Sequence, residues 1–306
     1  MEKTYLITSF YRFCAIEEQD LGKLELRLRA FSRNSALRGL VITAQEGVNG
    51  TIAGKERDIQ ALKDMISSIP GFEPTEFKDS WSDFQPFKRF KVKRRPEIVT
   101  FTDSHRLPEE SDESHLSPEE WHKALQEEKG ILLLDTRNKY ETSLGMFDGA
   151  IDPEIDVFTQ FSDFVRQLEV PLDTKVLMYC TGGIRCEKAS LEMRRRGFEN
   201  VFQLKGGILK YLEQYPDSKF KGECFVFDHR VAVDQKLHPS DRYRLCPHCG
   251  DPGDQLIECS RCGKEAVICK ECNDISERQS CSKDCCYHLG ISVAQEESTS
   301  DEGSSE

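Results

Sequence analysis

The sequence contains no long hydrophobic run. Its longest aliphatic stretch, residues 131–134, has the length of a strand, whereas a helix needs roughly 20 apolar residues to cross a bilayer. The apolar stretch near the N-terminus is interrupted too early to form the core of a signal peptide. We therefore predict no membrane association and a cytoplasmic location.

Positive charge is also scarce. The 42 lysines and arginines are outnumbered by 54 aspartates and glutamates, which gives a formal net charge of -12. This balance excludes a protein that coats nucleic acid without selectivity, so any contact with RNA must be local. Residues 291–306 contain five acidic groups and no basic one, and their composition predicts a disordered acidic tail.

Fingerprints of redox cofactors are missing as well. The chain has no flavin or NAD motif, and its seven histidines do not form the pattern of two histidines and a carboxylate that binds non-haem iron. The sequence therefore contains no recognisable binding motif for a redox cofactor.

The length of 306 residues suits two full domains and a small appendage. The apolar pattern of the first part predicts, in order, a strand at residues 4–13, a helix at 20–32, two strands within 39–54, a helix at 58–68 and a last strand near 88–99. The first helix is predicted from the roughly helical spacing of Leu21, Leu24, Leu26, Leu28 and Phe31, which would form its apolar face. The order β-α-β-β-α-β predicts a ferredoxin-like, or acylphosphatase-like, α+β domain over residues 1–99.

A polar and acidic segment, residues 100–116, is predicted to be a linker. Ser117-Pro118-Glu119-Glu120 then provides a helix N-cap, a proline at the first helical position and a glutamate three residues after the cap. Alternating elements follow: strand 131–135, helix 138–144, helix 157–168, strand 175–180, helix 187–197 and strand 201–204. This alternation predicts a parallel α/β domain over residues 117–216.

In a parallel sheet, ligands bind beyond the carboxyl ends of the strands. Asp135 and Cys180 each end a predicted strand, so both should lie at that edge. After this domain we predict a β-rich connector at residues 217–245 and a cysteine-rich module at residues 246–290.

The main chemical signal is the predicted active-site loop between a strand and a helix, formed by Cys180, Thr181, Gly182, Gly183, Ile184, Arg185 and Cys186. Gly182 and Gly183 allow a tight turn, so that backbone N–H groups can converge on the Cys180 sulfur, and the following helix adds its positive end. These features lower the pKa of a thiol, and the thiolate is the nucleophile. A small buried cysteine would be the alternative, but two glycines and an arginine are poor core residues.

Two enzyme classes use such a loop. Cysteine phosphatases have five residues between the cysteine and the arginine, whereas this chain has four, and the shorter loop matches rhodaneses, in which the cysteine can carry a persulfide. A Cys/His hydrolase pair would need a distant histidine such as His229 or His238 to approach in space. Asp135-Thr-Arg137, followed by Glu141, resembles the opening motif of rhodanese domains, but Asp135 can equally cap a helix and Arg137 can pair with Glu141.

A basic segment is a candidate RNA-binding site. It has six positive charges in eight residues and no acid among them: Lys88, Arg89, Lys91, Lys93, Arg94 and Arg95. Alternation would turn Phe90 and Val92 inward and Arg89, Lys91 and Lys93 outward, which suits phosphate contacts. A charged, solvated edge strand is the alternative.

Nine of the thirteen cysteines fall between residues 246 and 286, which indicates metal ligands in a reducing compartment. The eight predicted ligands are Cys246, Cys249, Cys259, Cys262, Cys269, Cys272, Cys281 and Cys285. They suffice for two structural Cys₄ zinc sites. Their spacing favours crossed pairing, first with third and second with fourth, although pairing of sequence neighbours stays open.

Several segments together resemble the bacterial-type tRNA wobble-uridine hydroxylases: EGVNGTIAG, FKRFKVKRRPEIV, DTRNKYE, CTGGIRCEKAS, LKGGILKY and GECFVFDHRVAV. The resemblance runs from about residue 4 to residue 235. It implies a central rhodanese domain, tRNA as partner and oxygen-dependent conversion of the wobble uridine to 5-hydroxyuridine, with Cys180 essential. Cys180 would either add to C6 of uracil or act as a redox-active thiol with Cys186 as resolving partner.

Two other functions compete with this interpretation. A sulfurtransferase would carry a persulfide on Cys180 and turn over thiosulfate with a thiol acceptor. A scaffold protein with a non-catalytic rhodanese fold would not need the intact Cys180 loop, which disfavours that hypothesis.

Overall fold

The computed structural model describes residues 4–101, 114–127 and 129–290. It contains two compact units, Met1–Asp228 with Ala232–Pro239, and His229–Val231 with Ser240–Glu306. The predicted tail and most of the predicted linker lie outside the described residues. Among the described helices, none has the length and apolar character required to span a membrane.

The first part of the larger unit is a five-stranded sheet with two helices. Its elements are β1 (Tyr5–Phe13), α1 (Glu18–Arg33), β2 (Arg38–Ala44), β3 (Gly47–Gly54), α2 (Glu56–Ser67), β4 (Phe77–Ser82) and β5 (Phe90–Arg94). The strand order is β4-β1-β3-β2-β5, and only β5 runs parallel to its neighbour, β2. The first four strands and both helices have the predicted ferredoxin-like arrangement.

Both helices pack on one face of this sheet. Leu21, Leu24 and Leu28 of α1 are buried, and Leu24 and Leu28 share a core with the buried residues of α2, Ile59, Leu62 and Ile66. Leu26 is 70% exposed, so its inclusion in the predicted apolar face was wrong. At about 100° per residue, position 26 lies on the opposite side of the helix from positions 24 and 28.

The fourth strand of the ferredoxin-like sheet is not the predicted one. β4, with the sequence FKDSWS, pairs with β1, whereas the predicted last strand near residues 88–99 is the additional edge strand β5. The polar sequence of β4 conceals its pairing because its apolar residues are few and one of its faces carries Lys78, Ser80 and Ser82.

The central part of the larger unit is built on a four-stranded sheet, as the predicted α/β class requires. Its strands are β6 (His115–Leu116), β7 (Leu132–Asp135), β9 (Val176–Tyr179) and β10 (Val201–Leu204). Their order is β6-β10-β9-β7 and all pairs are parallel. The surrounding elements are α3 (Pro118–Glu127), α4 (Lys139–Thr142), β8 (Gly145–Phe147), a 3₁₀ turn (Phe158–Gln160), α5 (Phe161–Arg166), α6 (Ile184–Arg195), α7 (Gly207–Gln214), β11 (Phe220–Gly222), β12 (Cys224–Phe225) and β13 (Ala232–Val233).

The strands of this sheet are buried on both faces, which explains their continuous apolar sequences. Leu134 and Met178 pack on one face with residues of α5 and α6. Leu133 and Leu177 pack on the other with Trp121 of α3 and residues of α7.

The start of α3 is capped as predicted. The Glu120 N–H donates to Ser117 Oγ at 3.2 Å, and the Ser117 N–H donates to Glu120 Oε2 at 2.8 Å. Strand β6 lies within residues 100–116, so this end of the expected linker pairs with β10 in the sheet.

A buried ion cluster joins the two parts of the larger unit. Lys188 of α6 is completely buried, and its ammonium lies 2.9 Å from Glu46 and 2.5 Å from Glu97 while donating to the Val99 carbonyl at 3.0 Å. The ferredoxin-like sheet and the parallel sheet therefore share one buried charge network.

The smaller unit has little apolar core. Its elements are β14 (Arg244–Leu245), β15 (Pro252–Gly253), β16 (Gln255–Glu258), β17 (Glu265–Ile268), α8 (Lys270–Asn273) and a 3₁₀ turn (Ser276–Arg278). The strands form two hairpins, β14 with β15 and β16 with β17. Its buried hydrophobic cluster consists of Ile268 with Cys246, Cys269 and Cys272, so cysteines replace much of the usual core.

Candidate active site

The loop that follows β9 carries the candidate nucleophile. Cys180 comes directly after the strand, and Gly183 precedes the first residue of α6. Gly183 has φ of +99°, a left-handed conformation that side chains disfavour. Gly182 does not adopt a positive φ, so only the second of the two glycines is required by the conformation of the turn.

The Cys180 sulfur is held as an anion. The Gly183 N–H donates to Sγ at 3.0 Å, and Arg185 contributes both its backbone N–H and its positive charge. Burial opposes ionisation, but a hydrogen bond from Cys186, the Arg185 charge and the two backbone donors outweigh it and lower the pKa of Cys180 to about 5. Cys180 is therefore a thiolate at neutral pH although its side chain is only 1% exposed.

Cys186 is the third residue of α6 and is completely buried. Burial and the neighbouring Cys180 thiolate raise its pKa well above the ordinary value, so it remains a neutral thiol that donates to Cys180. Its sulfur also lies 3.6 Å from Thr136 Oγ1. The two loop cysteines therefore have opposite protonation states.

The charged residues of the opening motif pair differently from the prediction. Arg137 does not form an ion pair with the Glu141 carboxylate; it binds Asp135 through two of its nitrogens, with the shortest contact 2.7 Å. Glu141 instead accepts from both terminal nitrogens of Arg185, at 2.5 and 2.7 Å. The parallel strands bring the Asp135–Glu141 segment and the Cys180 loop to the same edge of the sheet. Glu141 therefore pairs with Arg185 of the loop and not with Arg137, its neighbour in sequence.

These contacts determine what the loop can bind. The guanidinium of Arg185 is neutralised by a buried carboxylate, which differs from an arginine available for a phosphate group. Asp135 is the last residue of β7 and pairs with Tyr179, so it lies at the same edge as Cys180, as predicted, but it holds Arg137 and caps no helix. Thr181 is buried and Gly182 and Ile184 are half-buried around the sulfur.

Residues of the ferredoxin-like sheet cover the Cys180 loop, a contact that no sequence pattern predicted. The Tyr11 hydroxyl donates to Glu187 Oε1 at 2.9 Å and lies 3.0 Å from the position that a Gly183 side chain would occupy. Glu187 also contacts His115 and Gln203, each at 3.1 Å. Lys78 lies over the Tyr11 ring, 4.5 Å from its centroid.

No histidine in the larger unit pairs with the Cys180 sulfur among the described residues. His115 contacts Glu187, and His238 lies 3.3 Å from Asp234. The described residues of the larger unit therefore supply an activated thiolate without an imidazole partner, and His229 belongs to the smaller unit.

The predicted basic segment lies at the sheet edge formed by β5. Lys88, Arg89, Lys91, Lys93 and Arg95 are exposed, while Val92 is buried. Arg94 is held by ion pairs with Glu18 and Glu25. Because Lys91 and Lys93 pair with Leu40 and Ile42, both face away from the helices.

The eight predicted metal-ligating cysteines form two groups of four. One contains Cys246, Cys249, Cys269 and Cys272, and the other contains Cys259, Cys262, Cys281 and Cys285. Within each group the sulfurs lie within 4.8 Å of one another, so each can hold a metal ion. The pairing is crossed, and the alternative pairing of sequence neighbours is wrong.

The geometry of the second group fits a tetrahedral ion. Its sulfurs are separated by 3.6 Å between Cys262 and Cys281, 3.7 Å between Cys281 and Cys285 and 3.9 Å between Cys285 and Cys262. A tetrahedral zinc ion with Zn–S bonds of 2.3 Å requires sulfur separations of about 3.8 Å.

We expect the alkylation rate of Cys180 by iodoacetamide to be nearly constant between pH 6 and 8 and to fall about tenfold per pH unit below pH 5. The reason is that the lowered pKa keeps the thiolate present above pH 5 and loses it as pH falls through that value. Peptide mass spectrometry after timed alkylation measures the rate. Buried Cys224, whose pKa is raised to about 12, should stay unreactive in the same digests. A Cys180 rate still rising tenfold per unit between pH 7 and 9 contradicts a stabilised thiolate.

Three family models match the chain. They are described as the UPF0176 acylphosphatase like domain over residues 5–98, the rhodanese-like domain over residues 118–214 and the rhodanase C-terminal region over residues 221–286. The first two coincide with the two sheets of the larger unit.

Curated relatives are similar over nearly the whole chain. A tRNA uridine(34) hydroxylase from Bdellovibrio bacteriovorus is 45% identical over 287 residues, which cover 93% of this chain and 81% of the relative. One from Bartonella henselae is 40% identical and covers 89% of this chain and 90% of the relative. One from Prochlorococcus marinus is 38% identical, with 90% and 87% covered. With this identity along its length, the chain belongs to the family of the tRNA uridine(34) hydroxylases.

Proposed function

We propose that the chain is an enzyme that hydroxylates the wobble uridine of tRNA, at position 34, to 5-hydroxyuridine. The reaction uses molecular oxygen as co-substrate, takes place in the cytoplasm and depends on Cys180 as the reactive thiolate. The observation that carries the proposal is the Cys180 sulfur, with its pKa lowered to about 5 by converging donors, in a chain whose relatives are named tRNA uridine(34) hydroxylases.

The loop supplies a nucleophile and a closed environment for it. A thiolate held by backbone N–H groups remains charged where water is scarce, which keeps it reactive toward an electron-poor ring. Since Cys180 is buried, the target base must leave the anticodon stack and enter the protein. Cys186, a neutral thiol hydrogen-bonded to Cys180, is placed to serve as a resolving thiol if the reaction passes through oxidised sulfur.

We expect Cys180→Ser to abolish hydroxylation, because a serine hydroxyl is not ionised at neutral pH. Purified wild type and C180S would be incubated with tRNA from a strain lacking the protein, and nucleosides measured by mass spectrometry. Cys224→Ser, which changes a buried cysteine outside the loop, is the matched control and should keep most of the activity.

The same measurement distinguishes the sulfurtransferase alternative. A gain of one oxygen on the uridine with wild type only supports the hydroxylase. A thiolated nucleoside in place of the hydroxylated one, together with thiosulfate turnover, would show that Cys180 carries a persulfide. Full hydroxylation by C180S would exclude Cys180 as the reactive group.

We infer that the basic segment on β5 contacts the tRNA backbone near the anticodon. Strand register aligns Lys78, Ser9, Thr51, Leu40 and Lys91 in one row across the sheet, on the face away from the helices. Lys78 lies on one edge strand of this sheet and Lys91 on the other. The two are separated by four strand spacings of about 4.8 Å each, or roughly 19 Å. A phosphate bound at this edge is thus on the sheet face that covers Cys180.

Replacing Arg89, Lys91 and Lys93 together by alanine should weaken tRNA binding and reduce the slope of log affinity against log salt concentration by about 2 to 3, since each phosphate contact releases counterions. Fluorescence anisotropy over a salt series measures both quantities. A matched variant that removes Lys23, Arg27 and Arg33 from the exposed side of α1 changes the net charge equally and should leave the slope near that of wild type. Equal slopes for all three proteins would contradict a phosphate-binding edge.

We propose that each cysteine group holds one structural zinc ion. The fit rests on four thiolate donors per group, sulfur separations near those of a tetrahedral ZnS₄ site, and a unit with little other core. Arg261 and Arg278 donate to Cys285 and Cys272 and offset part of the negative charge that four thiolates leave on a divalent ion.

Double variants test the zinc pairing. C246S/C269S removes two ligands from one group and should retain one zinc per chain, whereas C246S/C259S damages both groups and should retain none after mild chelation. Metal content would be measured by mass spectrometry against wild type, which should contain two. The reverse result, one zinc in C246S/C259S and none in C246S/C269S, would show pairing of sequence neighbours.

A further inference from the structure

Lys78 is a buried lysine without a counterion. It projects from the edge strand β4 on the face of the ferredoxin-like sheet away from the helices, and only 7% of it is exposed. Within residues 4–101, 114–127 and 129–290, its ammonium has no hydrogen-bond acceptor and no carboxylate in ion-pair contact; it lies over the Tyr11 ring.

Such a group reduces the stability of the fold. Burial is the largest influence on Lys78 and lowers its pKa, while Glu76, Cys180 and Glu187 act in the opposite direction from a distance. Lys188 shows how the same chain satisfies a buried lysine, with two carboxylates and a carbonyl. A largely buried ammonium that has no carboxylate partner among the described residues, and on which the Cys180 charge acts, indicates a functional role, because active sites keep such groups at the expense of stability.

The position of Lys78 relative to Cys180 follows from a short series of contacts. The Lys78 ammonium lies over Tyr11, whose hydroxyl lies against Gly183, and the Gly183 N–H donates to the Cys180 sulfur. Glu187 fixes the Tyr11 hydroxyl. The ammonium is close enough to Cys180 for the thiolate charge to act on it.

We propose that Lys78 is a second catalytic residue, which donates a hydrogen bond to the C4 carbonyl oxygen of uridine 34 while the Cys180 sulfur adds to C6 of the ring. This inference rests on the proposed function and specifies the step in which the ferredoxin-like domain takes part.

The addition balances without an oxidant. A lone pair of the thiolate forms the S–C6 bond, the C5=C6 π bond breaks, and its electron pair is delocalised through C5 onto O4 as an enolate. The Lys78 ammonium neutralises the charge that develops on O4, whereas Arg185, the cation of the loop itself, is already paired with Glu141. The addition makes C5 electron-rich, and C5 is the carbon that must receive oxygen in the proposed reaction.

We expect Lys78→Met to lower the single-turnover rate of hydroxylation about 100-fold or more, as is typical when one preorganised donor to a developing anion is removed. Its affinity for tRNA should change less than threefold, since Lys78 is buried. A Lys78→Ala variant should regain at least tenfold activity in the presence of ethylammonium, a rescue that a purely structural role would not give. Lys23→Met, an exposed lysine on α1, should behave as wild type.

Stability and trapping provide readouts besides turnover. K78M should have a melting temperature equal to or above that of wild type, because it removes an unpaired buried charge. Lys188→Met should lower the melting temperature, because the carboxylates of Glu46 and Glu97 would lose the cation that both of them bind. An anticodon stem-loop with 5-fluorouridine at position 34 should form a covalent adduct with wild type on denaturing gels and none with C180S or K78M.

The outcomes separate the two proposals. If wild type does not hydroxylate uridine 34, the proposed function is wrong. If wild type is active but K78M keeps more than a third of its rate, or forms the adduct as fast as wild type, the role of Lys78 is wrong while the function stands. An active wild type that forms no adduct would exclude addition at C6 and with it the step assigned to Lys78.

Discussion

The stabilisation of a negative sulfur inside the protein is the interaction on which the rest of the site depends. A buried thiolate is costly unless donors surround it, and here the donors are backbone N–H groups of a turn, the start of α6 and a neighbouring thiol. Such donors are fixed by the fold, so they need no rearrangement when the sulfur reacts. The left-handed Gly183 and the parallel sheet that ends at Cys180 are both required to bring them together.

The same constraint explains the arrangement of charges around the loop. Arg185 contributes positive charge to the sulfur but is neutralised by Glu141, which leaves a site suited to a single anionic sulfur and unlike a phosphate-binding loop. Arg137 and Asp135 form a separate, fully buried ion pair. Within this network Lys78 differs from the other buried cations, because its counterion is not supplied by the described protein residues.

The ferredoxin-like domain thus contributes residues to the surroundings of Cys180 in addition to carrying the basic segment of β5. One face of its sheet carries Tyr11, whose hydroxyl lies against Gly183 of the Cys180 loop, and Lys78, which lies over the Tyr11 ring. The same face continues to the basic edge at β5, so a single sheet connects that edge with the residues that cover Cys180. Buried Lys188 of α6 binds Glu46 and Glu97 of the ferredoxin-like part and so fixes the two parts against each other. Cysteine has a different use in the smaller unit, where groups of four thiolates occupy positions that apolar side chains would fill in a larger domain.

The features that depend on neighbours along the chain were predictable from the residues: the ferredoxin-like and parallel α/β orders, the Ser117 cap, the strand-Cys180-helix turn and the composition of the metal-ligand set. Local periodicity and turn chemistry encode these directly. The sequence pattern misplaced the fourth strand, because FKDSWS pairs through its backbone and has few apolar residues, and it assigned Glu141 to Arg137 because i,i+4 spacing is visible in sequence whereas the Arg185 contact spans 44 residues. Only the packing of the sheets shows that Tyr11 contacts the Cys180 loop and that Lys78 lies over Tyr11. The tertiary structure also settled the crossed pairing of the cysteines, which their spacing had favoured without excluding pairing of sequence neighbours. Contacts between residues so distant in sequence depend on how the sheets and hairpins pack, and no local pattern records that.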